Sequence, residues 1–318
     1  MAIEDNIHKL LKYYYASPAA LREIVSQIYS RIPLSIRYGK KFVYYDRLLK
    51  ISQYWSDSKK NKYIKNNLKK TLINAYENTN YYKSLFDDEK FNPYIFDNIK
   101  QLQKLPFSDK NIIRNNRKFI VNNNIPKNKL LYTTTGGTSG IPIKLYYVKG
   151  VERSRELAFI KDMWSRVGYN YGDKIARLRG TVINFKDDDT IFIKDSIKNR
   201  LILSTYDLHE ENFPRFFKAL EDFKPKFIHA YPSSAIILGN YLIKNDLKLK
   251  GLDGVLCGSE QIYPGQREFI EKAFGAKVYS WYGHSECATI AGECELNDNY
   301  HLAFEYGFTE LIDKNGEV

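Results

Sequence analysis

The sequence predicts an α/β fold in which a mostly helical amino-terminal region is followed by parallel β-α-β sheet layers and a β-rich carboxyl-terminal end. Three observations carry that expectation. Apolar residues recur at helical spacing through the first 130 residues. From about Lys129 short β-rich runs alternate with helical ones. Between Lys226 and Tyr282 the alternation becomes regular, β-α-β-α-β, which needs crossover connections and hence neighbouring parallel strands. The 318 residues suffice for a sizeable core and roughly two domains. The expected division is 1–128 helical, 129–290 the α/β core, and 291–318 the start of a β-rich subdomain.

In chain order, "LREIVSQIY" (Leu21 to Tyr29) and "IKNNLKKTLINAYENT" (Ile64 to Thr79) read as amphipathic helices, the second with Ile64, Leu68, Leu72, Ile73 and Tyr76 on one face. Ser108, just after Pro106, is the expected N-cap of "DKNIIRNN". "KLLYT" and "IKLYYV" are strands flanking a Thr/Ser/Gly loop, with Ile143, Leu145 and Tyr147 on one side of the second. Glu152 to Val167 is a helix, and "KIARLRG" and "RLILSTYDL" are strands. In the regular segment "KFIHAY", "GVLCG" and "KVYSWY" are strands. A helix runs from Ser233 or Ser234 to about Asn245, and a second is opened by Pro264 and closed by Gly275. "HLAFEYGFTELIDKNGEV" reads as two strands and an Asp313-Lys314-Asn315-Gly316 turn. Asn-Gly implies a returning strand, so the natural chain is expected to continue past Val318.

Ligands of open parallel sheets bind outside the carboxyl ends of the strands. Three short motifs fall on those ends: Tyr231-Pro232-Ser233, Gly258-Ser259-Glu260 and Tyr282-Gly283-His284-Ser285-Glu286. Far apart in sequence, they are expected to share one edge.

Composition narrows the function classes. Hydrophobic residues at 43% and charged ones at 27% are globular values. No stretch has 18 consecutive apolar residues, so no membrane insertion is expected. The amino terminus has acids early and no apolar signal segment. Three cysteines, an odd number, do not make a disulfide framework and fit a reducing cytoplasm. The net charge of +12 is spread over scattered lysines, with no arginine-rich helix or zinc finger, so no specific nucleic-acid partner is expected.

"TTTGGTSGIP" (Thr133 to Pro142) is the densest cluster of hydroxyls and glycines. Gly136, Gly137 and Gly140 free the backbone to approach a ligand, and consecutive amides then make an anion-binding concavity. Thr134, Thr135, Thr138 and Ser139 add hydroxyl donors suited to polyphosphate oxygens. Ile141-Pro142 and a strand follow, which is not a Walker loop, and no Gly-x-Ser-x-Gly elbow is present. On composition alone the loop fits a solvated hairpin turn equally well.

The loop resembles the phosphate loop of adenylate-forming enzymes, which activate carboxylates with ATP. "YGHSE" resembles their Tyr-Gly-x-Ser/Thr-Glu motif. With the intervening "GSE" and the flanks "IPLSIRYGKKF", "NTNYYKSLF", "LPFSDKNIIRNN", "AGECELNDNYH" and "EYGFTELID", nearly the whole chain is similar to the phenylacetate–CoA ligase branch. Within that branch it is most similar to the CapK-like proteins associated with capsular polysaccharide synthesis. The resemblance implies the adenylate-forming large domain without the small carboxyl-terminal domain. Many relatives have Lys where this chain has Ile141.

The resemblance also implies roles. Thr134 to Gly140 wraps the ATP phosphates. Gly258, Ser259 and Glu260 line the adenine pocket, Tyr282 and Gly283 lie against the base, and Tyr231, Pro232 and Ser233 shape the acyl pocket. Ser285 bonds the α-phosphate and Glu286 holds Mg²⁺. His284 either donates to a phosphate or carboxylate or only packs. Cys294 and His301 match two ligands of a structural zinc site whose other two ligands lie further downstream in relatives; four are required.

The implied reaction is ATP-dependent formation of an acyl-adenylate from a small-molecule carboxylic acid, with transfer to a thiol such as CoA. The family's ribose-binding Asp and its catalytic Lys lie downstream of residue 318, so weak nucleotide binding and much reduced adenylation are expected of these residues alone. The alternative is a non-catalytic nucleotide- or acyl-binding subunit. Which acid, which acceptor and which oligomeric state are not written in the sequence.

Overall fold

The computed structural model of the chain describes residues 4, 13, 14, 17–136, 141–180 and 190–315. The helices come first: α1 (Ala19–Ser30), α2 (Leu34–Ser52), α3 (Asp57–Asn78) and α4 (Asn80–Asp88), then the short α5 (Lys110–Asn115) and α6 (Arg117–Ile120). Gly39, at φ 73°, takes the left-handed backbone that lets α2 kink after its first turn. The N-cap of α5 is Asp109, not Ser108: its carboxylate accepts from the amides of Asn111 and Ile112 at 2.8 and 2.7 Å. A carboxylate at a helix start also meets the positive end of the dipole. The run Asn122 to Asn124 ties this region together, Asn123 N–H donating to the Asn78 carbonyl at 2.9 Å and Asn124 bonding the Asn78 side chain.

Strands β1 (Leu130–Thr134) and β2 (Lys144–Val148) form a separate antiparallel hairpin with Leu131 opposite Tyr147. Ile143 is buried and Leu145 and Tyr147 half-buried, while Lys144 and Tyr146 face out, as the alternation predicts. Helix α7 (Glu152–Ser165) leads into β3 (Ile175–Leu178), followed by β4 (Phe192–Asp195), β5 (Arg200–Leu203), α8 (Phe213–Phe223) and β6 (Phe227–Ala230). Then come α9 (Pro232–Lys244), β7 (Gly254–Gly258), α10 (Gln266–Phe274), β8 (Val278–Gly283), β9 (Ile290–Cys294) and β10 (Asn297–Leu302).

The described strands β3 to β10 make one eight-stranded sheet in the order β10-β9-β8-β7-β6-β3-β5-β4. Its centre, β8-β7-β6-β3-β5, is parallel, as expected from β-α-β-α-β, and the outer pairs are antiparallel. Alternate residues cover two cores. Ala176, Leu203, Ile228 and Val255 pack on one face against Phe216, Leu238 and Phe274 of α8, α9 and α10. Ile175, Phe227 and Leu256 pack on the other against Trp164 of α7. Full burial of each such side chain contributes roughly 1.5–3 kcal/mol, which is why these strands read as near-continuous apolar runs.

Further expectations differ from the structure. Pro264 does not open α10: the helix begins at Gln266 behind Gly265, whose φ of 81° turns the chain into it. Residues 301–315 do not hold two strands. Only His301 and Leu302 are extended, as the end of β10, and a turn at 304–306 follows. The sequence reading also omits β4 and α8, although Phe213, Phe216, Leu220 and Phe223 recur at helical spacing and are buried. At the chain's end Asp313 does form a turn, accepting from Asn315 N–H at 2.8 Å; Gly316 lies outside the described residues. Among the described residues no helix is long and apolar enough to cross a membrane.

At the β8–β9 end of the sheet, Glu293 is 4% exposed. It accepts from both terminal nitrogens of Arg267, at 2.7 and 3.2 Å, and from Ser280 N–H at 2.8 Å. Removing one partner strands a buried carboxylate. Arg267→Met is expected to destabilise the fold by about 3 kcal/mol, read as a lower urea midpoint; an unchanged midpoint would contradict the pairing.

Candidate active site

The parallel registers bring the strand ends level. Leu178 lies opposite Ala230, Ala230 opposite Cys257, and Gly258 opposite Trp281. The segments that follow, at Arg179, Tyr231, Ser259 and Tyr282, therefore leave one edge together, as the sheet-edge rule requires.

A cavity of about 270 Å³ opens at this edge, bordered by Ser259, Gly283, His284 and Ser285 among the anticipated residues. The sequence reading missed Arg179, His229, Glu156 and Trp281, which border it as well, as do Tyr147 and Tyr306. Arg179 was findable by the rule that identified the others, because it directly follows β3. Glu156 sits on α7 and carried no local signal.

Arg179 organises the floor. Its Nη1 donates to His229 Nε2 at 2.7 Å and its Nη2 to the Ser259 hydroxyl. The guanidinium centre stands 5.1 Å from the Tyr231 ring centroid and 5.5 Å from that of Trp281, within cation–π range. A guanidinium only donates, so Nε2 must accept and the ring proton belongs on Nδ1. Burial, reinforced by Arg179, Arg177 and Arg200, pushes His229 well below its ordinary value and keeps it neutral. Burial lowers Arg179 as well, though a guanidinium stays charged. It raises the Glu156 carboxyl, against the pull of Arg155, Arg179 and Arg153.

The loop after β7 is shaped by close approach. A Cβ on Gly258 would stand 2.4 Å from Trp281 Nε1, so only glycine admits the indole there. Ser259 takes a left-handed backbone, φ 69°, which aims its hydroxyl at Arg179. Glu260 turns the other way: its carboxylate accepts from Ser233 N–H and from the Ser233 hydroxyl, both at 3.0 Å. It thereby caps α9, whose N-cap Tyr231 has no capping side chain. Pro232 is buried at the first position of α9 and Tyr282 is 53% exposed. Neither they nor Ser233, Glu260 and Gly258 are among the cavity's bordering residues.

In the loop after β8, His284 Nδ1 donates to Glu286 Oε2 at 2.9 Å, with both side chains about one-third exposed. The hairpin is joined to this loop, Tyr147 O–H donating to the Ser285 carbonyl at 2.5 Å. On the hairpin Thr134 ends β1 opposite Lys144. The Thr135 hydroxyl accepts from Ile143 N–H at 2.9 Å and so helps close the turn, and Gly136 is exposed. Gly137, Thr138, Ser139 and Gly140 lie outside the described residues. Ile141 is 74% exposed, and its carbonyl accepts from Arg114 Nη2 on α5.

Cys294 and His301 do lie together on β9 and β10, Sγ to Nε2 3.3 Å. Among the described residues no third His, Cys, Asp or Glu completes a metal-holding group around them or elsewhere. Glu286, with His284 beside it, therefore belongs to no group of three or more such side chains among the described residues. That donor set fits a hard cation which draws its remaining ligands from phosphates and water, as Mg²⁺ does, and does not fit an all-protein cage.

The eight-stranded mixed sheet, with a separate hairpin beside its strand-end loops, is the fold of adenylate-forming enzymes. The solved structures agree. That of 2-hydroxyisobutyryl-CoA ligase in complex with 2-HIB-AMP and CoA in the thioesterification state superposes with a TM-score of 0.63 at 19% identity, covering 83% of this chain and 58% of that one. The same ligase in the postadenylation state gives 0.57 at 18% identity, covering 74% and 52%. At these identities the likeness is one of fold. In sequence the chain is related to Protein CapK of Staphylococcus aureus, 27% identical over 207 residues, which are 63% of this chain and 45% of CapK. The chain thus spans about half the length of the relatives it matches. No family model matches it.

Two outcomes are expected. An unfolded histidine binds a proton below about pH 6.5, whereas neutral His229 does not, so its contribution to stability is present above that pH and lost as pH falls. His229→Gln should flatten the acid side of the stability profile by up to about 1.4 kcal/mol per pH unit; an unchanged slope in urea titrations below pH 6.5 would refute a neutral, buried imidazole. Gly258→Ala should cost about 1–3 kcal/mol by overpacking and shift the tryptophan emission, because Trp281 must move. A wild-type Tm and spectrum would contradict the contact.

Proposed function

We propose that this chain carries the nucleotide- and acid-binding half of an adenylate-forming ligase, which joins a small carboxylic acid to AMP and, in the complete enzyme, passes the acyl group to a thiol such as CoA. One observation carries the proposal: the Tyr147–Ser285 hydrogen bond, which brings the Thr/Ser/Gly hairpin against the strand end that bears His284 and Glu286.

In this proposal the hairpin's hydroxyls and amides, Thr134 to Gly140, orient the polyphosphate. Gly258, Ser259, Glu260, Tyr282 and Gly283 form the nucleoside side, with the exposed Tyr282 ring offering an aromatic face to the base. Glu260 acts indirectly, through its clamp on Ser233. The acyl group enters the 270 Å³ cavity beside Tyr231 and Ser285. His284 is aimed by Glu286, which fixes which ring nitrogen carries the proton. Mg²⁺, held by Glu286, supplies charge neutralisation at the phosphates. The protein's work is positioning and fixed electrostatics. The likeness to 2-hydroxyisobutyryl-CoA ligase and to CapK supports this chemistry, and CapK's similarity favours a place in surface polysaccharide synthesis in the cytoplasm. Cys294 and His301 supply half of a zinc site that further residues would have to complete.

The test is calorimetric titration with ATP and AMP. ATP is expected to bind with an affinity that Mg²⁺ strengthens, and Glu286→Gln to reduce that strengthening by about tenfold or more. Absence of ATP and AMP binding at millimolar concentration would sink the proposal. Pyrophosphate exchange across a panel of acids then separates a catalytic chain from a binding subunit.

A further inference from the structure

Between β8 and β9 the chain reverses in a tight turn that carries Glu286. Cys287 N–H donates to the His284 carbonyl at 3.1 Å, so Ser285 and Glu286 are the two central residues of the turn. Cys287 follows at φ 55°, a left-handed backbone that a residue other than glycine adopts at a cost. Such a residue persists only where its surroundings fix it, and residues of this kind gather at functional sites. The Cys287 side chain is buried with Phe159, Ile290 and Tyr306. Its carbonyl accepts from Arg155 Nη2, on α7, at 2.7 Å. The centre of that guanidinium stands 4.4 Å from the centroid of the Tyr306 ring, within cation–π range. Two residues back, the Ser285 carbonyl accepts from Tyr147 O–H. A carbonyl on each side of Glu286 is thus held by a different element, and His284 Nδ1 bonds the Glu286 carboxylate itself.

Packing alone would seat the Cys287 side chain without deciding where its carbonyl points. A planar guanidinium decides it, because its donors have fixed directions, and a hydrogen bond from a charged donor is roughly twice as strong as a neutral one. Arg155 does not border the 270 Å³ cavity, so its effect there is through the backbone. Resting on the function proposed above, we propose that Arg155 is a positioning residue for Glu286: by gripping the Cys287 carbonyl it presets the turn, so that the carboxylate is in place before metal and nucleotide arrive. A preset turn has less conformational freedom to lose on binding, and affinity gains by that amount. The gain belongs to the metal-dependent part of ATP binding.

The test compares wild type, Arg155→Met, Arg155→Lys and Glu286→Gln in calorimetric titrations of the full chain, with AMP alone and with ATP in the presence and absence of Mg²⁺. In Arg155→Met the strengthening of ATP binding by Mg²⁺ is expected to fall about tenfold, and the metal-free affinity for AMP by less than about threefold. Arg155→Lys, which keeps a cationic donor beside Tyr306, should recover part of the loss. Equal losses for AMP and for ATP with Mg²⁺ would mark Arg155 as merely structural and overturn the inference. An undiminished Mg²⁺ effect in Arg155→Met, beside a diminished one in Glu286→Gln, would overturn it too and leave the nucleotide site standing. A measurement on the wild type decides even if Arg155→Met does not fold. Without ligands the Cys287 amide should exchange with deuterium about a hundredfold or more slowly than an unstructured amide. Exchange at the unstructured rate, with protection only after Mg²⁺ and ATP are added, would overturn the presetting. If neither ATP nor AMP binds at millimolar concentration, the proposed function fails and this inference with it.

Discussion

The site depends on the parallel pairing of β3, β6, β7 and β8. Strands paired in parallel run in the same direction, so every one of them ends on the same edge. Registers that set Leu178 opposite Ala230 and Gly258 opposite Trp281 make those ends level. A shift of one residue in any pair would turn Ala230 or Cys257 out of the core formed with α8, α9 and α10. The packing that stabilises the sheet therefore also aligns Arg179, Tyr231, Ser259 and the loop that begins at Tyr282.

The same pairing explains why the floor of the cavity tolerates a cation. Arg179 lies one residue beyond the buried end of β3 and is itself half-buried. Left alone there it would be costly. It is stabilised by an imidazole that cannot easily protonate, by a hydroxyl on a left-handed backbone, and by two ring faces. Replacing such a cluster with apolar side chains of similar volume is often neutral or stabilising.

Much of this was legible in the sequence, because both periodicities are strong where burial is strong. The parallel core, α7, α9 and the hairpin were recovered for that reason. The Thr/Ser/Gly run, "GSE" and "YGHSE" were visible as local strings. What escaped depends on relations that a string does not carry. Arg179 is one of two arginines in "RLRG", and only its place after β3 marks it. Glu156 is one of several charges on α7; burial sets it apart, and of the arginines that face it Arg153 and Arg155 are on its own helix while Arg179 comes from the end of β3. Ser108 and Asp109 are both good caps, and the choice fell to the carboxylate that reaches two amides. The alternating run after Leu302 looked extended, but Tyr306 is drawn into the cluster with Phe159 and Cys287, and the chain turns there.

The hairpin stands in a different relation to the sheet. No strand ladder joins β1 and β2 to the main sheet among the described residues. The hairpin meets the strand-end loop through the Tyr147–Ser285 hydrogen bond, and the far side of its turn meets α5 through Arg114 and the Ile141 carbonyl. Single hydrogen bonds of this kind are each worth only about 1 kcal/mol, whereas the ladder contacts that fix Arg179 and Trp281 are many and cooperative. The segment proposed to hold phosphates is thus attached to the sheet edge by few polar contacts, together with the packing of Tyr147 against the cluster of Phe159, Cys287, Ile290 and Tyr306.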